Sequence, residues 1–264
     1  MPQPALSRLI AIIEEIAQGN YSDDIMALTG PEQPEEIRAI AEAMGLMMVK
    51  VEAREFSLEN LAAELRAANA DLKQRALATV EAMAAALGAR DAYTQGHGQR
   101  VGRLAAALAR RVGLEPQEVE EVRVAGILHD IGKIGFSDQV FANEDTVPSP
   151  ELLREIRTHP QLGAEIVESL DFLGPVREFV LCHHERPDGQ GYPQGLGGED
   201  IPLGARLISV ADVYDALTTD RPYQEGRSRA EALEVLQGLA GGGLDPELVR
   251  AFPQCLAGLP AAGG

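Results

Sequence analysis

Two stretches near the N-terminus carry apolar residues at the spacing of an amphipathic helix. They cover residues 4–18 and 34–52, and a connector that begins at Gly19-Asn20 separates them. The apolar positions are Leu6, Leu9, Ile10, Ile13 and Ile16 in the first stretch, and Ile37, Ile40, Ala41, Met44, Met47, Met48 and Val51 in the second. Because two short helices cannot bury both apolar faces alone, we expect a second copy of the chain to pack against them.

A heptad repeat continues the helical pattern through residues 53–80. Its a and d positions hold Leu58, Leu61, Leu65, Ala68, Leu72 and Thr79. Arg75 interrupts the seam, which at about three heptads is short for an independent coiled coil. We therefore interpret residues 53–75 as a linker helix that extends a homodimer of residues 1–52, followed by a second domain over residues 76–264.

The rest of the chain has helical periodicity and no long β-alternation, so we predict an all-α fold. Helices are expected at residues 97–112, 116–133, 159–170, 175–185, 203–219, 228–239 and 246–252, and another begins at Ser149-Pro150. Ser228 and Glu231 have the spacing of a capping box, and the proline after Asp245 marks a further helix start. A polar, glycine-rich loop covers residues 186–195.

Composition narrows the function. The net charge of −18 argues against general binding to DNA or RNA, because that binding needs a basic surface. Cys182 and Cys255 lack a metal-binding spacing, and we interpret them as reduced thiols of a cytoplasmic protein. Since neither a run of ~20 apolar residues nor a signal peptide occurs, we expect no transmembrane segment. Membrane association would then require an anchor upstream of Met1.

The histidines point to a metal centre. All five lie between His97 and His184, and the pair His129-Asp130 falls in an apolar stretch, where a charge is costly unless it is paired or bound to metal. The candidate ligands are His97, His129, Asp130, His159, His183, His184 and Asp212. Imidazole and carboxylate without thiolate suit Fe, Mn, Co or Zn.

Asp130 has two carboxylate oxygens and can therefore bridge two ions, which favours a two-metal phosphoesterase. The alternative is that each histidine is a hydrogen-bonded core residue. Five such residues beside matching carboxylates favour the metal centre.

Several motifs together resemble the HD-GYP domain. They are His129-Asp130-Ile131-Gly132-Lys133, Thr158-His159-Pro160, His183-His184-Glu185, Asp188-Gly189-Gln190-Gly191-Tyr192-Pro193, Ala211-Asp212-Val213-Tyr214-Asp215-Ala216-Leu217, Arg221-Pro222-Tyr223 and Asp245-Pro246-Glu247-Leu248-Val249. The resemblance covers roughly residues 76–255 and implies an HD-type helical bundle. It also implies a metal-dependent phosphodiesterase that hydrolyses the bacterial messenger cyclic di-GMP to pGpG, and it leaves open a further step to GMP.

The resemblance implies roles for single residues. Lys133 and Asp130 are expected at the catalytic centre, where Lys133 holds a substrate phosphate and stabilises developing charge. By the resemblance, Arg221 is expected to contact a substrate phosphate or the edge of a guanine, with a surface ion pair as the alternative, and Tyr192 is expected to contact the substrate. Asp215 shares a helix face with a predicted ligand and is expected either to orient a histidine or to cap its helix.

Two departures from the family pattern bear on the site. Tyr93 stands where relatives with three metals carry a glutamate, so we predict two divalent ions, Fe or Mn, rather than three. Gln224 replaces a basic residue that often follows the Arg-Pro-Tyr motif, which predicts one weaker substrate contact.

The N-terminal residues resemble a HAMP domain, a parallel helical signal relay of bacterial receptors. The resemblance rests on Pro4, Gly19 and the motif Glu35-Glu36-Ile37. It implies a dimeric relay that regulates the second domain. A generic helical dimerisation hairpin is the alternative.

Two other functions are compatible with the sequence. One is a docking module of low turnover that binds partners such as diguanylate cyclase (GGDEF) domains. The other is an HD phosphohydrolase that acts on another nucleotide, such as cyclic GMP-AMP or a deoxynucleotide triphosphate. The complete ligand set favours an enzyme, and the glycine-rich loop argues against the triphosphate substrate, but nothing in the sequence separates related cyclic dinucleotides.

Overall fold

A computed structural model of the protein describes residues 3–19, 23–90, 96–137, 140, 149–220 and 225–256. These residues form helices and connecting loops without a β-strand, which confirms the predicted all-α fold. The α-helices are α1 (Gln3–Ala17), α2 (Glu35–Arg90), α3 (His97–Arg111), α4 (Pro116–Leu128), α5 (Pro150–Ile156), α6 (His159–Glu168), α7 (Val176–Cys182), α8 (Leu203–Thr218), α9 (Arg229–Leu239) and α10 (Pro246–Cys255). Short 3₁₀ turns cover Asp23–Leu28, Ile131–Gly135, Asp171–Leu173 and Gly198–Asp200.

The chain divides into two compact units, residues 1–74 and residues 75–264. A small apolar core holds the first unit together and consists of Leu9, Ile12, Ile25, Leu28, Ile37, Ala41 and Met48. Part of the apolar face predicted for α1 is not covered, since Leu6 is 50% and Ile10 49% exposed. The division into a HAMP-like segment, a linker helix and a catalytic domain stays a prediction.

Helix α2 continues without interruption where the sequence predicted a helix that ends near residue 52, followed by a separate linker helix. No glycine or proline occurs between Gly45 and Gly88, so nothing in that stretch favours a helix end. The predicted heptad positions Leu58, Leu61, Leu65 and Leu72 are between 60% and 69% exposed. Within the described residues, no helix combines the length and the apolar character that crossing a bilayer requires.

The second unit packs its helices around one large apolar core. Helix α3 contacts α4, α8 and α10, while α6 packs against α7 and against the 3₁₀ turn Ile131–Gly135. The fully buried core side chains include Leu108, Val122, Leu128, Val180, Leu207, Leu236 and Phe252. The predicted helix caps are present: Ser149, Ser228 and Asp245 each accept hydrogen bonds from backbone N–H groups in the first turn of the helix that follows.

The predicted helix over residues 116–133 is too long. Helix α4 ends at Leu128, and the chain continues through Asp130 into the 3₁₀ turn. A Cβ on Gly132 would collide with the backbone carbonyl of His159, so the turn lies directly against the start of α6. The backbone therefore leaves the axis of α4 to reach α6, a long-range contact that helical periodicity does not reveal. Other predicted helix ends in this unit are shifted by only a few residues.

Glycines bring α3 and α4 into backbone contact. A Cβ on Gly126 would lie 2.8 Å from the Cα of Gly102, and one on Gly102 would lie 2.7 Å from the carbonyl oxygen of Arg123. Real Cβ atoms do not approach backbone so closely, so larger residues here would force the two helices apart. The close packing matters because α3 begins with His97 and α4 ends just before His129.

We expect Gly126→Ala to destabilise the second unit by about 1–3 kcal/mol, because the added methyl group overpacks the contact with α3. Denaturant unfolding followed by circular dichroism measures the change. Gly238→Ala is the matched control, since Gly238 is a helical glycine with open space around its Cα. This control should be neutral or stabilising by up to about 1 kcal/mol. Equal effects of the two substitutions would contradict the close contact.

Candidate metal centre

Helix ends deliver four imidazoles to one place in the second unit. His97 and His159 are the first residues of α3 and α6. His129 and His183 directly follow the last residues of α4 and α7. All four are buried, with exposures between 1% and 6%. Because they stand at the ends of packed helices, their positions are set by the packing of the core.

The other three predicted ligands adjoin these imidazoles. Asp130 and His184 are the next residues in the chain after His129 and His183, and Asp212 lies on α8. The structure therefore brings together all seven side chains that the sequence analysis selected as ligands.

A hydrogen bond at Nδ1 fixes the orientation of each buried imidazole. Nδ1 of His129 lies 2.8 Å from the carbonyl oxygen of Gly126, and Nδ1 of His159 and His183 lie 2.7 Å from the carbonyl oxygens three residues earlier, those of Ile156 and Val180. A carbonyl only accepts, so Nδ1 donates and carries the proton. The Nε2 lone pair is then left to face the centre, which is how metal-binding histidines are oriented.

The ligand atoms form two groups. Nitrogen and oxygen atoms of His97, His129 and Asp130 lie within 4.8 Å of one another, and so do the nitrogens of His159, His183 and His184. In the first group, Nε2 of His97 is also 3.2 Å from Oδ1 of Asp212.

Asp130 connects the two groups through its separate oxygens. Its Oδ2 lies 3.4 Å from Nε2 of His129, and its Oδ1 lies 3.4 Å from Nε2 of His159. One carboxylate oxygen thus faces each group, which is the arrangement that a bridging carboxylate needs.

Burial favours the neutral form of the imidazoles in the second group. Burial lowers the pKa of His159 to about 4 and also lowers the pKa of His183 and His184. Nε2 of His159 and Nε2 of His183 lie 3.2 Å apart, and with both protons on Nδ1 these are two acceptors that face each other. Two lone pairs at this distance repel unless a cation lies between them, so the donor set fits a metal ion.

Negative charge on the carboxylates determines the electrostatics of the first group. Burial acts to raise the pKa of Asp130, but Lys133 and His129 outweigh it and hold that pKa well below its ordinary value. Burial lowers the pKa of His97, but hydrogen bonds to Asp212 and Asp215 more than compensate and raise it to about 9. The same negative charges that favour a proton on His97 also favour a divalent cation beside it.

Asp215 orients His97. Its Oδ2 accepts a 2.7 Å hydrogen bond from Nδ1 of His97, which decides between the two roles expected for Asp215. Arg100 donates two hydrogen bonds, of 2.7 and 3.0 Å, to the same carboxylate. The Arg100–Asp215 pair thus fixes the orientation of the His97 ring, as a backbone carbonyl fixes the rings of His129, His159 and His183. Arg100 was not among the predicted site residues, although its position one helical turn after His97 on α3 could have indicated it.

Lys133 lies at the edge of the centre. It belongs to the 3₁₀ turn rather than to an extension of α4, and its Nζ is 2.6 Å from Oδ2 of Asp130. A cavity adjoins this pair and is lined by Ala84, Leu87, Gly96, Gln99 and Ile127, among others. The lysine thus places one positive charge beside the candidate ligand Asp130, and both residues line the cavity.

Tyr192 covers the opposite group. Its ring stacks on the imidazole of His184, with ring centroids 4.9 Å apart and an angle of 28° between the planes. Arg157, which the sequence analysis did not select, lies over the ring of Tyr192.

Glu185 shapes the loop that carries Tyr192. Its buried carboxylate accepts hydrogen bonds from the backbone N–H groups of Gln194, Gly195 and Leu196, at 2.6 to 3.2 Å. A Cβ on Gly191 would collide with the backbone of Glu185 itself. The loop therefore folds back onto the end of α7, which explains why glycine and a buried acid belong to its sequence pattern.

The predicted substrate contact Arg221 lies outside the described residues, and so do Tyr93 and Gln224. Their predicted roles in substrate binding and in the number of metal ions stay predictions.

An all-α unit that gathers five imidazoles and Asp130 at or next to its helix ends, with Asp212 from the middle of α8, has the donor set of a histidine–carboxylate metal centre. The chain belongs to the HD domain family, whose sequence profile matches residues 57–248. This match confirms the HD-type fold predicted from the motifs.

Curated relatives are longer proteins. The cyclic di-GMP phosphodiesterase response regulator RpfG of Xanthomonas campestris is 34% identical over 229 residues, which are 85% of this chain and 60% of RpfG. Cyclic di-GMP phosphodiesterase PA4108 of Pseudomonas aeruginosa is 42% identical over 61% of this chain and 39% of its own length. The 3'3'-cGAMP-specific phosphodiesterase 3 of Vibrio cholerae is 29% identical over 97% of this chain and 58% of its own length. The chain thus spans between 39% and 60% of these relatives.

Two solved structures share the fold. The cyclic GMP-AMP phosphodiesterase V-cGAP3 of V. cholerae superposes with a TM-score of 0.55 at 21% identity, over 68% of this chain and 48% of its own. Bd1817, an HD-GYP-type protein of Bdellovibrio bacteriovorus, superposes with a TM-score of 0.50 at 28% identity, over 61% of this chain and 52% of its own.

We expect Asp215→Asn to weaken binding of a divalent ion by about 10- to 100-fold, because the amide no longer holds the imidazole of His97 by a charged hydrogen bond. Titration of the metal-free protein with Mn²⁺ against a chromogenic chelator measures the affinity. Asp200→Asn removes the same charge from an exposed position in the 3₁₀ turn Gly198–Asp200 and should leave the affinity unchanged. Equal affinity of Asp215→Asn and the unsubstituted protein would show that Asp215 does not orient a ligand.

Proposed function

We propose that the protein is a metal-dependent phosphodiesterase that hydrolyses cyclic di-GMP to pGpG. The observation that carries this proposal is the pair of ligand groups joined by Asp130, with Lys133 beside it. The identities of 34% and 42% to proteins named cyclic di-GMP phosphodiesterases support it. Whether pGpG is cleaved further to GMP is a matter for product analysis.

Two divalent ions, Fe or Mn, are proposed for the centre. His97, His129, Asp130 and Asp212 would hold one, and His159, His183 and His184 would hold the other together with the second oxygen of Asp130. Such ions, when bound, polarise phosphate oxygens and lower the pKa of a water molecule. Imidazole and carboxylate ligands without thiolate suit these metals.

The remaining residues of the site act on the substrate. The ammonium group of Lys133 is proposed to contact a phosphate oxygen and to stabilise the charge that develops on it during cleavage. Tyr192, whose ring packs against His184 and Arg157 beside the second ligand group, is proposed as a further contact to the substrate. Arg221 is proposed, by its match to the HD-GYP pattern, as a contact to a phosphate or to the edge of a guanine.

Hydrolysis of cyclic GMP-AMP is the second candidate function. The V. cholerae relative named for that substrate matches 97% of this chain, at 29% identity. Both substrates present the same phosphodiester groups to the centre and differ in one base, so the metal ligands do not distinguish them.

A turnover assay tests the proposed function. We expect protein that was stripped with a chelator to be inactive, and to regain hydrolysis of cyclic di-GMP as it binds two Mn²⁺ or Fe²⁺ ions per chain. His129→Ala and Asp130→Asn should each reduce kcat by at least about a hundredfold, because each removes a ligand. Cyclic GMP-AMP is assayed in parallel to rank the two substrates.

Three ions per chain after anaerobic purification would contradict the two-metal centre. Full turnover of the ligand variants would overturn the phosphodiesterase mechanism.

The N-terminal unit is proposed to form a homodimer that regulates the catalytic domain, with GGDEF domains as further partners. Its support is the row of exposed leucines on α2, which repeats at heptad spacing and whose burial would remove apolar surface from water. A HAMP-like relay is one form that this regulation can take.

We expect the full chain to be a dimer in light scattering, and Leu65→Asp to shift it towards monomer because a charge replaces an apolar seam residue. Ala70→Asp adds the same charge on the far side of the heptad and should leave the dimer intact. A monomeric unsubstituted chain, or equal effects of both variants, would contradict dimerisation through this seam.

A further inference from the structure

Arg157 is an exposed cation that the metal centre itself does not use. It directly follows α5 and stands two residues before His159. Its backbone N–H donates to the carbonyl of Leu153 at 3.1 Å, and the carbonyl of the preceding Ile156 accepts from the imidazole of His159. The residue before Arg157 therefore takes part in the hydrogen bond that orients a predicted metal ligand.

Arg157 is linked to the centre through the ring of Tyr192. The guanidinium carbon lies 5.5 Å from the ring centroid of Tyr192, a cation–π distance. Tyr192 in turn stacks on His184, one of the second ligand group. The ring of Tyr192 thus connects the positive charge of Arg157 to the candidate ligand His184.

Carboxylates pair with three other cations of the described residues near the centre. Lys133 is paired with Asp130, Arg100 with Asp215, and Arg186 with Asp188, at 2.6 to 2.7 Å.

Arg157 differs from these cations. Among the described residues, no carboxylate lies within ion-pair distance of it, and the acids of its own helix are engaged elsewhere: Glu151 pairs with Arg154, and Glu155 binds Ser137. In a chain of net charge −18, an arginine without a carboxylate partner beside an active-site candidate attracts an anion.

We propose that Arg157, stacked on Tyr192, forms a subsite for the second phosphate of a cyclic dinucleotide. This inference rests on the proposed function. A cyclic dinucleotide carries two phosphodiester groups, and a single centre cleaves one of them at a time. The uncleaved phosphodiester stays anionic on the far side of the dinucleotide macrocycle. A cation that lies apart from the metal ligands would stabilise it. A guanidinium suits this role because its planar N–H groups match two phosphate oxygens.

Kinetics with two substrates test the subsite on the Mn²⁺-loaded full chain. Cyclic di-GMP has the second phosphate, whereas bis(p-nitrophenyl) phosphate has only the one that is cleaved. The measured quantity is kcat/KM for cyclic di-GMP divided by kcat/KM for bis(p-nitrophenyl) phosphate. We expect Arg157→Ala to lower this ratio by roughly tenfold or more, because one charge-assisted hydrogen bond is lost. The change should come mainly from a higher KM for cyclic di-GMP. Arg157→Lys should restore part of the ratio.

Arg154→Ala is the matched control, since it removes an equal charge from the same helix and its guanidinium pairs with Glu151. It should leave the ratio unchanged. Bound Mn²⁺ is measured for each variant. If kcat/KM fell equally for both substrates and Mn²⁺ were lost as well, Arg157 would only support Tyr192 and the centre. That result, or an unchanged ratio, would overturn the subsite alone. Absence of cyclic dinucleotide turnover by the unsubstituted protein would overturn the proposed function and the subsite with it.

Discussion

The hydrogen bond at Nδ1 of each buried imidazole is the interaction on which the candidate centre depends. In three cases the acceptor is the carbonyl three residues earlier, so the last turn of a helix, or the turn before its start, orients the ring that follows it. The fourth ring, His97, begins its helix and uses Asp215 instead. Because the acceptors belong to packed backbone or to a side chain held by Arg100, the Nε2 atoms converge without help from flexible groups. The packing of the core in the second unit thus sets the positions of the candidate ligand atoms.

Much of the site was predictable because its chemistry is carried by rare residue types. Five histidines in a chain of 264 residues, interleaved with Asp130 and Asp212, left few ways to choose ligands, and the structure brings those seven side chains together. The all-α fold followed from helical periodicity and from the lack of alternation. The sequence did not indicate Arg100, Glu185 or Arg157 as site residues. Arginines and glutamates are common, and their roles here depend on contacts with residues distant in the sequence.

The end of α4 shows a different limit. Periodicity extended the helix to residue 133, because Ile127, Leu128 and Ile131 continue the apolar pattern. The chain leaves the helix at this point to place Gly132 against the start of α6, and that contact joins residues almost thirty positions apart in the sequence. Similarly, the heptad leucines of α2 predicted a seam, but a single chain leaves them exposed, so their role depends on a partner that periodicity alone does not identify.

The glycine contact between α3 and α4 has a thermodynamic consequence. Gly102 and Gly126 let two backbones touch, and α3 begins with His97 while His129 directly follows α4, so the two helices carry two candidate ligands of one group. Any sliding of one helix along the other would change the separation of the two nitrogens, so the free energy of binding an ion and the free energy of packing the helices are linked. An ion bound in this group would therefore stabilise the packing of α3 against α4, and a loosening of that packing would weaken the binding of the ion by the same free energy.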